Sequence, residues 1–345
     1  NCFMKVNFTS FLVTEAMIYA AILFALVNSA GRIADGSMTI AQALIVLMLS
    51  YSYFSAAKEL MNASHSALTA IAAAGKVEEI LDTDTSRPYD PALPADPKQF
   101  EGIRMDHVSY GYEGRSRALQ DISLTVPKGK TVAMVGLSGC GKSTTASLLM
   151  RFCDPLSGNI YIEGKDYCSM KPEELRKHIA MVPQQVNLFS GTIRENLLLA
   201  DPGAKDAALL EALEEAGLGA FIRSQSKGLD SDVGNAGSSL SGGQRQKMGI
   251  ARALLSRAEY MIFDEATSSV DPQSEKEIWE TIGHLAESRT LIIISHRMSS
   301  VQNADCIYVL RDGRVAQHGT HEALMAEGGL YKELVVRQQA MEVAK

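Results

Sequence analysis

The sequence has little of what marks a secreted protein or a nucleic-acid-binding protein. Only five of its 345 residues are cysteines, and none forms a close pair with metal-binding spacing, which disfavours a disulfide framework or a zinc knuckle and favours reduced thiols facing the cytosol. Lysine and arginine (33) are outnumbered by aspartate and glutamate (40), so the net charge is −7. A nucleic-acid-binding surface spread over the chain is therefore disfavoured, although a local basic pocket stays possible.

The N-terminus has neither an initiator Met nor a recognisable signal peptide. The chain opens with Asn-Cys-Phe and shows no basic region followed by a small-residue cleavage site. We interpret this start as a break inside a longer protein.

Charged residues are almost absent from two stretches near the N-terminus. Residues 6–31 carry one charge, Glu15, and residues 38–57 carry none. Each stretch is long enough to cross a hydrocarbon core of about 30 Å as a helix, and Lys5 and Lys58 favour cytoplasmic outer ends. We predict a membrane hairpin with spans at about 8–28 and 38–57, joined by a polar turn over 28–37. Two buried helices of a soluble core are the alternative.

Glu15 is costly inside a membrane span unless it faces a protein interior or a wet cavity. A place on a transport pathway and a structural hydrogen bond are both open interpretations. Two spans do not form a pore, so we expect further membrane helices from upstream sequence or from a partner.

The chain changes character after the second span. It stays helix-compatible to about Leu81, as a cytoplasmic extension of the helix, so we assign residues 1–82 to the C-terminal part of a transmembrane domain. Residues 83–98 hold four of the ten prolines and form a predicted extended linker. From residue 99 to 345, strands over 103–105 and 119–126 precede alternating strands and helices, which predicts a mostly parallel sheet with helices on both faces and an antiparallel β edge.

A phosphate-binding loop lies near the start of this C-terminal domain. The apolar run over 131–135 leads into a stretch that matches the G-x-x-x-x-G-K-[ST] pattern, and a predicted helix over 143–152 follows. Its glycines let backbone N–H groups point at phosphate oxygens, its lysine reaches the β and γ phosphates, and its serine binds Mg²⁺. The predicted nucleotide-binding residues are Gly136, Ser138, Gly139, Cys140, Gly141, Lys142, Ser143 and Thr144.

An acidic pair follows a second apolar strand. Residues 260–263 read Tyr-Met-Ile-Phe and are followed by Asp264 and Glu265. A buried strand that ends in two carboxylates supplies one for Mg²⁺, Asp264, and one to polarise the attacking water, Glu265. Together with the phosphate loop, this pair predicts nucleotide hydrolysis.

A third motif, Leu240-Ser241-Gly242-Gly243-Gln244, carries a resemblance to the ATP-binding cassette (ABC) family. The Ser241 hydroxyl and the N–H groups of the glycines can grip another anion at a helix start, so Ser241, Gly242, Gly243 and Gln244 are predicted nucleotide contacts. The resemblance extends over the whole chain. It implies a phosphate-loop α/β nucleotide-binding domain with an antiparallel β subdomain and a helical signature subdomain, after an α-helical transmembrane hairpin.

The same resemblance implies roles for residues with weaker local signals. Tyr112 resembles the aromatic residue that stacks on adenine, with Tyr110 as the alternate. Gln184 resembles the glutamine that senses Mg²⁺ and the attacking water, and His296 the histidine that contacts the γ-phosphate. Ser268 and Asp271 resemble residues that couple two nucleotide sites.

Fusion of apolar spans to the cassette resembles the exporter type of the family. The resemblance implies a multi-pass membrane protein with a cytoplasmic nucleotide-binding domain, in contact with membrane lipid, that exports an unidentified substrate. It also implies that two half-transporters, identical or related, sandwich two ATP molecules with Mg²⁺. Asn235 stands where many exporters carry a glutamate that transmits motion. The alternatives are a soluble ABC-type ATPase that acts as a mechanical switch, and an ATP-dependent clamp or channel regulator.

Overall fold

The N-terminal unit consists of two long helices. The computed structural model describes residues 2–82, 89–112, 117–267 and 270–343, and its contacts separate Asn1–Ser86 from Arg87–Lys345. Helix α1 spans Cys2–Ala34 and helix α2 spans Ile40–Asp82. The end of α2 agrees with the helix extension predicted to about Leu81.

The turn between these helices is shorter than predicted and begins later. Helix α1 continues to Ala34, and the amides of Ser37 and Met38 then donate to the Arg32 carbonyl at 2.9 and 3.2 Å. Thr39 caps α2, because its Oγ1 accepts from the Gln42 amide at 3.3 Å while the Gln42 side chain accepts from the Thr39 amide at 2.9 Å. The predicted turn start at residue 28 is wrong, since residues 28–34 still belong to helix α1.

The surface of this unit is largely apolar. Two helical segments are long and apolar enough to cross a membrane, namely Glu15–Ala34 and Ile40–Asp82. Large side chains on both helices point outward, with Phe24 70% and Met48 72% exposed. A surface of this kind needs lipid or further apolar helices to cover it.

Glu15, the acidic residue within the first apolar stretch, has a partner. Its carboxylate forms an ion pair and hydrogen bond with the Lys58 ammonium of α2. An opposite charge on the neighbouring helix offsets part of the cost of placing a carboxylate in an apolar segment. The interpretation of Glu15 as a structural hydrogen-bonding residue agrees with this contact.

The C-terminal unit is built on two β-sheets. A four-stranded antiparallel sheet has the order β2-β1-β4-β5, and a six-stranded sheet has the order β10-β9-β3-β8-β7-β6. Strands β9, β3, β8, β7 and β6 are parallel, and β10 is antiparallel. The strands are β1 Gly102–Gly111, β2 Arg117–Pro127, β3 Thr131–Gly136, β4 Ser157–Ile162, β5 Lys165–Asp166, β6 Ile179–Val182, β7 Tyr260–Asp264, β8 Thr290–Ile294, β9 Cys306–Arg311 and β10 Arg314–Gly319.

The central strands are buried on both faces, as continuous apolar runs in parallel sheets require. In β7, Met261 and Phe263 pack into a core shared with helices α5–α11, whereas Tyr260 and Ile262 pack into a second core with the antiparallel sheet and α3. The helices are α3 Lys142–Leu149, α4 Pro172–His178, α5 Ile193–Leu198, α6 Asp206–Glu215, α7 Gly219–Ser224, α8 Gly242–Leu255, α9 Pro272–Ala286, α10 His321–Glu327 and α11 Leu330–Val343. The predicted fold class is confirmed.

Helix α3 is shorter than the predicted helix over 143–152. It ends at Leu149, and Arg151 adopts a left-handed backbone with φ 53°. The Arg151 guanidinium donates to the carbonyls of Tyr167 and Met170 at 3.1 and 2.7 Å. These contacts hold the chain in a turn, so the helix stops before Phe152.

The described part of the predicted linker is tied to the antiparallel sheet. The Asp96 amide donates to the Gly164 carbonyl at 2.8 Å, and the Asp96 carboxylate pairs with Arg104 of β1, whose Nε lies 3.0 Å from Oδ2. Both side chains are buried, and the guanidinium lies 4.6 Å from the centre of the Tyr161 ring. Residues 83–88 lie outside the described part of the chain.

Replacing Asp96 with asparagine is expected to destabilise this unit. Without the Asp96 charge, buried Arg104 keeps only the partly exposed Asp106, 2.9 Å from its Nη1, as a counter-ion. Breaking a buried ion pair costs about 3–5 kcal/mol, which lowers the melting temperature by roughly 6 °C or more. Thermal unfolding of the full chain measures the effect. Asp90→Asn is the matched control, because Asp90 is an exposed aspartate of the same segment. Equal melting temperatures for the two variants would contradict the expected role.

The same pair makes stability depend on pH. The hydrogen bond from Arg104 holds the pKa of Asp96 below its ordinary value of 3.8. A lowered folded-state pKa means that the stabilisation is fully present above the unfolded value and is lost as the pH falls through the folded value. The difference between wild type and Asp96→Asn should therefore shrink below about pH 4.

Candidate nucleotide-binding site

The predicted site residues follow neighbouring parallel strands at one edge of the six-stranded sheet. Met134 of β3 pairs with Ile294 of β8, and Ile294 also pairs with Asp264 of β7. Strand β6 lies beside β7, with Val182 opposite Phe263. The phosphate loop, Glu265, His296 and Gln184 therefore leave the sheet on the same side, where ligands of parallel α/β sheets bind.

The phosphate loop depends on glycine at specific positions. Gly136, Gly139 and Gly141 have φ values of 153°, 80° and 108°. A Cβ on Gly136 would lie 2.3 Å from the Leu310 carbonyl oxygen, and one on Gly141 would lie 2.4 Å from Leu119 Cδ2. The loop therefore accepts no larger residue at these two positions, and it leads directly into α3.

Lys142 lies inside the curve of this loop. Its ammonium donates to the carbonyl oxygens of Gly136 and Leu137 at 2.9 and 3.1 Å and lies 3.8 Å from Cys140 Sγ. Both Lys142 and Cys140 are 5% exposed. The loop thus places a positive charge at its centre. Of the other predicted contacts, Ser138 is exposed, and Thr144 is buried at the start of α3.

Ser143 and Asp264 meet across the sheet edge. Ser143 Oγ donates to Asp264 Oδ1 at 3.3 Å. Burial raises the pKa of Asp264, and the Ser143 hydrogen bond and the Lys142 charge oppose that shift. A hydroxyl and a carboxylate side by side are ligands that Mg²⁺ accepts, so these residues fit the predicted metal site.

Glu265 lies beside His296. The carboxylate Oε1 is 3.7 Å from the His296 Nδ1. The Glu265 amide donates to the Ile294 carbonyl at 2.9 Å, and Glu265 has a left-handed backbone with φ 49°. Non-glycine residues in this conformation often mark functional positions. The structure thus brings the predicted base and the predicted γ-phosphate contact together.

Gln184 adjoins the signature helix, and Tyr112 directly follows strand β1. The carbonyl of Pro183, beside Gln184, accepts from the Gln246 side chain of α8 at 2.9 Å. Gln184 and Gly242 line a cavity of about 330 Å³, so the Gln184 loop adjoins the signature helix. Tyr112 follows β1, is 46% exposed, and packs edge-on against Tyr110 with ring centres 5.1 Å apart. An exposed ring of this kind can stack on a base.

The signature residues start helix α8. Ser241 Oγ accepts from the Gln244 amide at 3.2 Å, and the Gln244 side chain accepts from the Ser241 amide at 2.9 Å. Gly243 packs on α9, since a Cβ there would lie 2.4 Å from Ser274 Cβ. The Gln244 side chain therefore has a capping role that the sequence analysis did not identify.

Of the two residues predicted to couple the nucleotide sites, Asp271 lies in the described part of the chain. Asp271 caps α9, because its Oδ1 accepts from the Ser274 amide at 3.0 Å, and that amide lowers the pKa of the carboxyl. Ser268 lies outside the described residues. Asn235, at the position of the family's glutamate, accepts from Ser190 Oγ at 3.2 Å.

Comparison with known proteins agrees with this geometry. The family described as "ABC transporter" matches residues 119–268, which contain the phosphate loop, the signature motif and Glu265. This chain belongs to the ABC transporter family. The family resemblance seen in the sequence is thereby confirmed.

Relatives of this ABC protein include an ATP-dependent lipid A-core flippase of Chromobacterium violaceum, 38% identical over 323 residues, which are 93% of this chain and 55% of that protein. ABC transporter B family member 1 of Arabidopsis thaliana is 34% identical over 98% of this chain and 27% of its own length. The chain thus spans about half of the flippase and less of the plant transporter. A solved bacterial Atm1-family ABC exporter with ATP bound superposes with a TM-score of 0.71 at 32% identity, over 97% of this chain and 59% of that one.

Three polar residues of this ABC domain that sequence analysis missed connect the loops around Glu265 and His296. They are Thr267, Glu275 and Arg297, which form a hydrogen bond and an ion pair with one another. In the sequence, the only signal for Glu275 is that it is an acidic residue near the start of a helix. Its partners depend on tertiary packing.

Proposed function

We propose that this chain is the C-terminal part of an ABC exporter half-subunit, which couples ATP binding and hydrolysis to transport across a membrane. The Ser143–Asp264 contact, 3.3 Å long, carries the proposal because it joins the phosphate loop to the acidic strand. Glu265 and His296 lie at the same sheet edge. The two long apolar helices of the N-terminal unit support a membrane location.

The proposed nucleotide contacts belong to the chain's own loops. The phosphate loop holds the phosphates with its backbone N–H groups and with Lys142, and Tyr112 stacks on the base. Ser143, Asp264 and Gln184 would hold Mg²⁺. When bound, that ion neutralises charge on the β and γ phosphates.

Glu265 is the proposed general base for water, and His296 the proposed contact to the γ-phosphate. A base must lie within hydrogen-bond reach of the proton that it accepts, and such contacts tighten when substrate binds. The Glu265 carboxylate is only 23% exposed, so it is shielded yet reachable from the sheet edge.

A second half-transporter completes each site in the proposed assembly. Ser241, Gly242, Gly243 and Gln244 would meet the ATP held by the partner's phosphate loop, because a helix start favours an anion. Ser268 and Asp271 would link the two sites. This chain retains the chemical residues of both half-sites, so a second copy or a related chain fits as partner.

The membrane part of the proposal assigns α1 and the first half of α2 to a lipid bilayer, with the nucleotide-binding domain in the cytoplasm. The named relatives include a lipid A-core flippase and an Atm1-family exporter, which supports export across a membrane. The cargo depends on membrane helices, of which this chain holds two.

The test uses the full-length protein that contains this chain. We expect it to remain in the membrane pellet after alkaline carbonate washing, and to hydrolyse ATP in lipid nanodiscs only when Mg²⁺ is present. Turnover by one chain type alone indicates a homodimer, and turnover only with a related chain indicates a heterodimer. Release into the soluble fraction, or no turnover in either setting, would contradict the proposal.

A further inference from the structure

One carboxylate of helix α9 joins the loops that follow β7 and β8. Glu275 Oε1 accepts a hydrogen bond from Thr267 Oγ1 at 3.1 Å, and Glu275 Oε2 forms an ion pair with Arg297 Nη1. Thr267 lies two residues after Glu265, and Arg297 directly follows His296. Glu275 therefore contacts both of the loops that present the hydrolytic pair.

The support for this carboxylate is rigid. Asp271 caps α9, and Pro272 occupies its first turn. Glu275 lies near that N-terminus, where a negative charge is favoured. Its side chain is 14% exposed, and Thr267 is 3% exposed. The Arg297 side chain is 35% exposed, so water partly screens the ion pair and its loss should change the melting temperature little.

The Arg297 side of this bridge is also fixed through its backbone. The Arg297 amide donates to Ser295 Oγ at 2.9 Å, and Ser300 Oγ donates to the Arg297 carbonyl at 2.6 Å. A segment held at its backbone and at its guanidinium has little freedom to shift. The backbone of His296, which lies between Ser295 and Arg297, is therefore held at both ends.

We propose that Glu275 is a positioning residue for ATP hydrolysis. By holding Thr267 and Arg297, it fixes the separation of Glu265 Oε1 and His296 Nδ1, which is 3.7 Å. It acts through the two loops and does not itself meet the nucleotide. This inference rests on the proposed function, since it needs a reaction whose rate depends on that separation.

The first variant is Glu275→Gln in the full-length transporter in lipid. Glutamine keeps the size and an oxygen for Thr267 but loses the charge that binds Arg297. A misplacement of about 1 Å can cost a factor of about 100 in rate, so we expect kcat to fall by about 10-fold or more while the KM for ATP stays within about twofold. Glu280→Gln is the matched control on the same helix, because Glu280 is 60% exposed and pairs only loosely with Lys276 at 4.0 Å.

Two further comparisons separate positioning from general stability. Arg297→Gln should lower kcat as Glu275→Gln does, and the double variant should be no slower than either single one, since residues that act as a unit are not additive. Thr267→Ser keeps the hydroxyl and should retain turnover, whereas Thr267→Val should lose it. Melting temperatures should change little across the set.

The outcomes distinguish this inference from the proposed function. If wild type hydrolyses ATP and Glu275→Gln matches Glu280→Gln, the positioning role is wrong and the exporter proposal stands. If Glu275→Gln lowers kcat but also weakens ATP binding and lowers the melting temperature, Glu275 is a structural residue only. A wild type without turnover would overturn the proposed function and this inference with it.

Discussion

A Glu265→Gln variant is expected to lose ATP turnover by at least about 100-fold while it still binds ATP. General base catalysis contributes a factor of about 100 to 10,000, and an amide cannot accept the proton of the attacking water. Glutamine has the same shape, so the backbone hydrogen bond from residue 265 to Ile294, 2.9 Å long, should persist. Phosphate release and the binding of a fluorescent ATP analogue measure the two properties separately.

Glu259→Gln is the matched control for this experiment. Glu259 lies just before the same strand, is 44% exposed, and pairs with Lys128 at 2.6 Å on the surface. Exposed pairs contribute little to stability, so this variant should hydrolyse ATP at the wild-type rate. Rapid hydrolysis by Glu265→Gln would remove Glu265 from the role of base. A loss of ATP binding by the same variant would make the residue part of the binding surface instead.

The sheet edge that carries this chemistry is predictable from the sequence because its signals are local. An apolar run that leads into glycines, and an apolar run that ends in Asp264 and Glu265, each specify a buried strand and the loop after it. Parallel pairing then places the loops together. The 3.3 Å contact between Ser143 and Asp264 is a consequence of register that each motif alone does not encode.

The parts that sequence analysis missed depend on contacts distant in the chain. Asp96 lies in a proline-rich segment that resembles a free linker, yet its carboxylate pairs with Arg104 inside a buried site. Glu275 resembles any acidic residue of a helix start, and its partners lie on two other loops. Periodicity and propensity report on one element at a time, so they cannot show which side chains of separate elements meet.

The helix boundaries show the same limit on a smaller scale. The predicted helix to Phe152 ends at Leu149, because Arg151 is held by the carbonyls of Tyr167 and Met170. Nothing within residues 143–152 signals that stop, since the carbonyls that hold Arg151 lie 16 and 19 residues further along the chain. Tertiary contacts therefore override a locally favourable helix.

The Lys142→Met variant is expected to weaken ATP binding by about 10-fold to 100-fold. Hydrogen bonds to charged groups contribute about 1.5–3 kcal/mol, and Lys142 is the cation that the phosphate loop holds against its own carbonyl oxygens at 2.9 and 3.1 Å. An ammonium in that position can move to a phosphate oxygen without rebuilding the loop, whose path is set by glycine backbone angles. Methionine keeps the length and the apolar stem, so the loop should stay folded.

Lys130→Met is the control for this substitution, because it removes a lysine that precedes strand β3, whereas the phosphate loop follows the other end of that strand. Lys130 is 54% exposed and pairs with Asp305 at 3.0 Å. Strand β3 separates it from the phosphate loop. Titration with a fluorescent ATP analogue should leave the affinity of Lys130→Met unchanged while that of Lys142→Met falls, with similar melting temperatures for both. Equal affinities would mean that the backbone N–H groups of the loop bind the phosphates without the lysine. A lower melting temperature for Lys142→Met alone would instead assign the ammonium to folding of the loop.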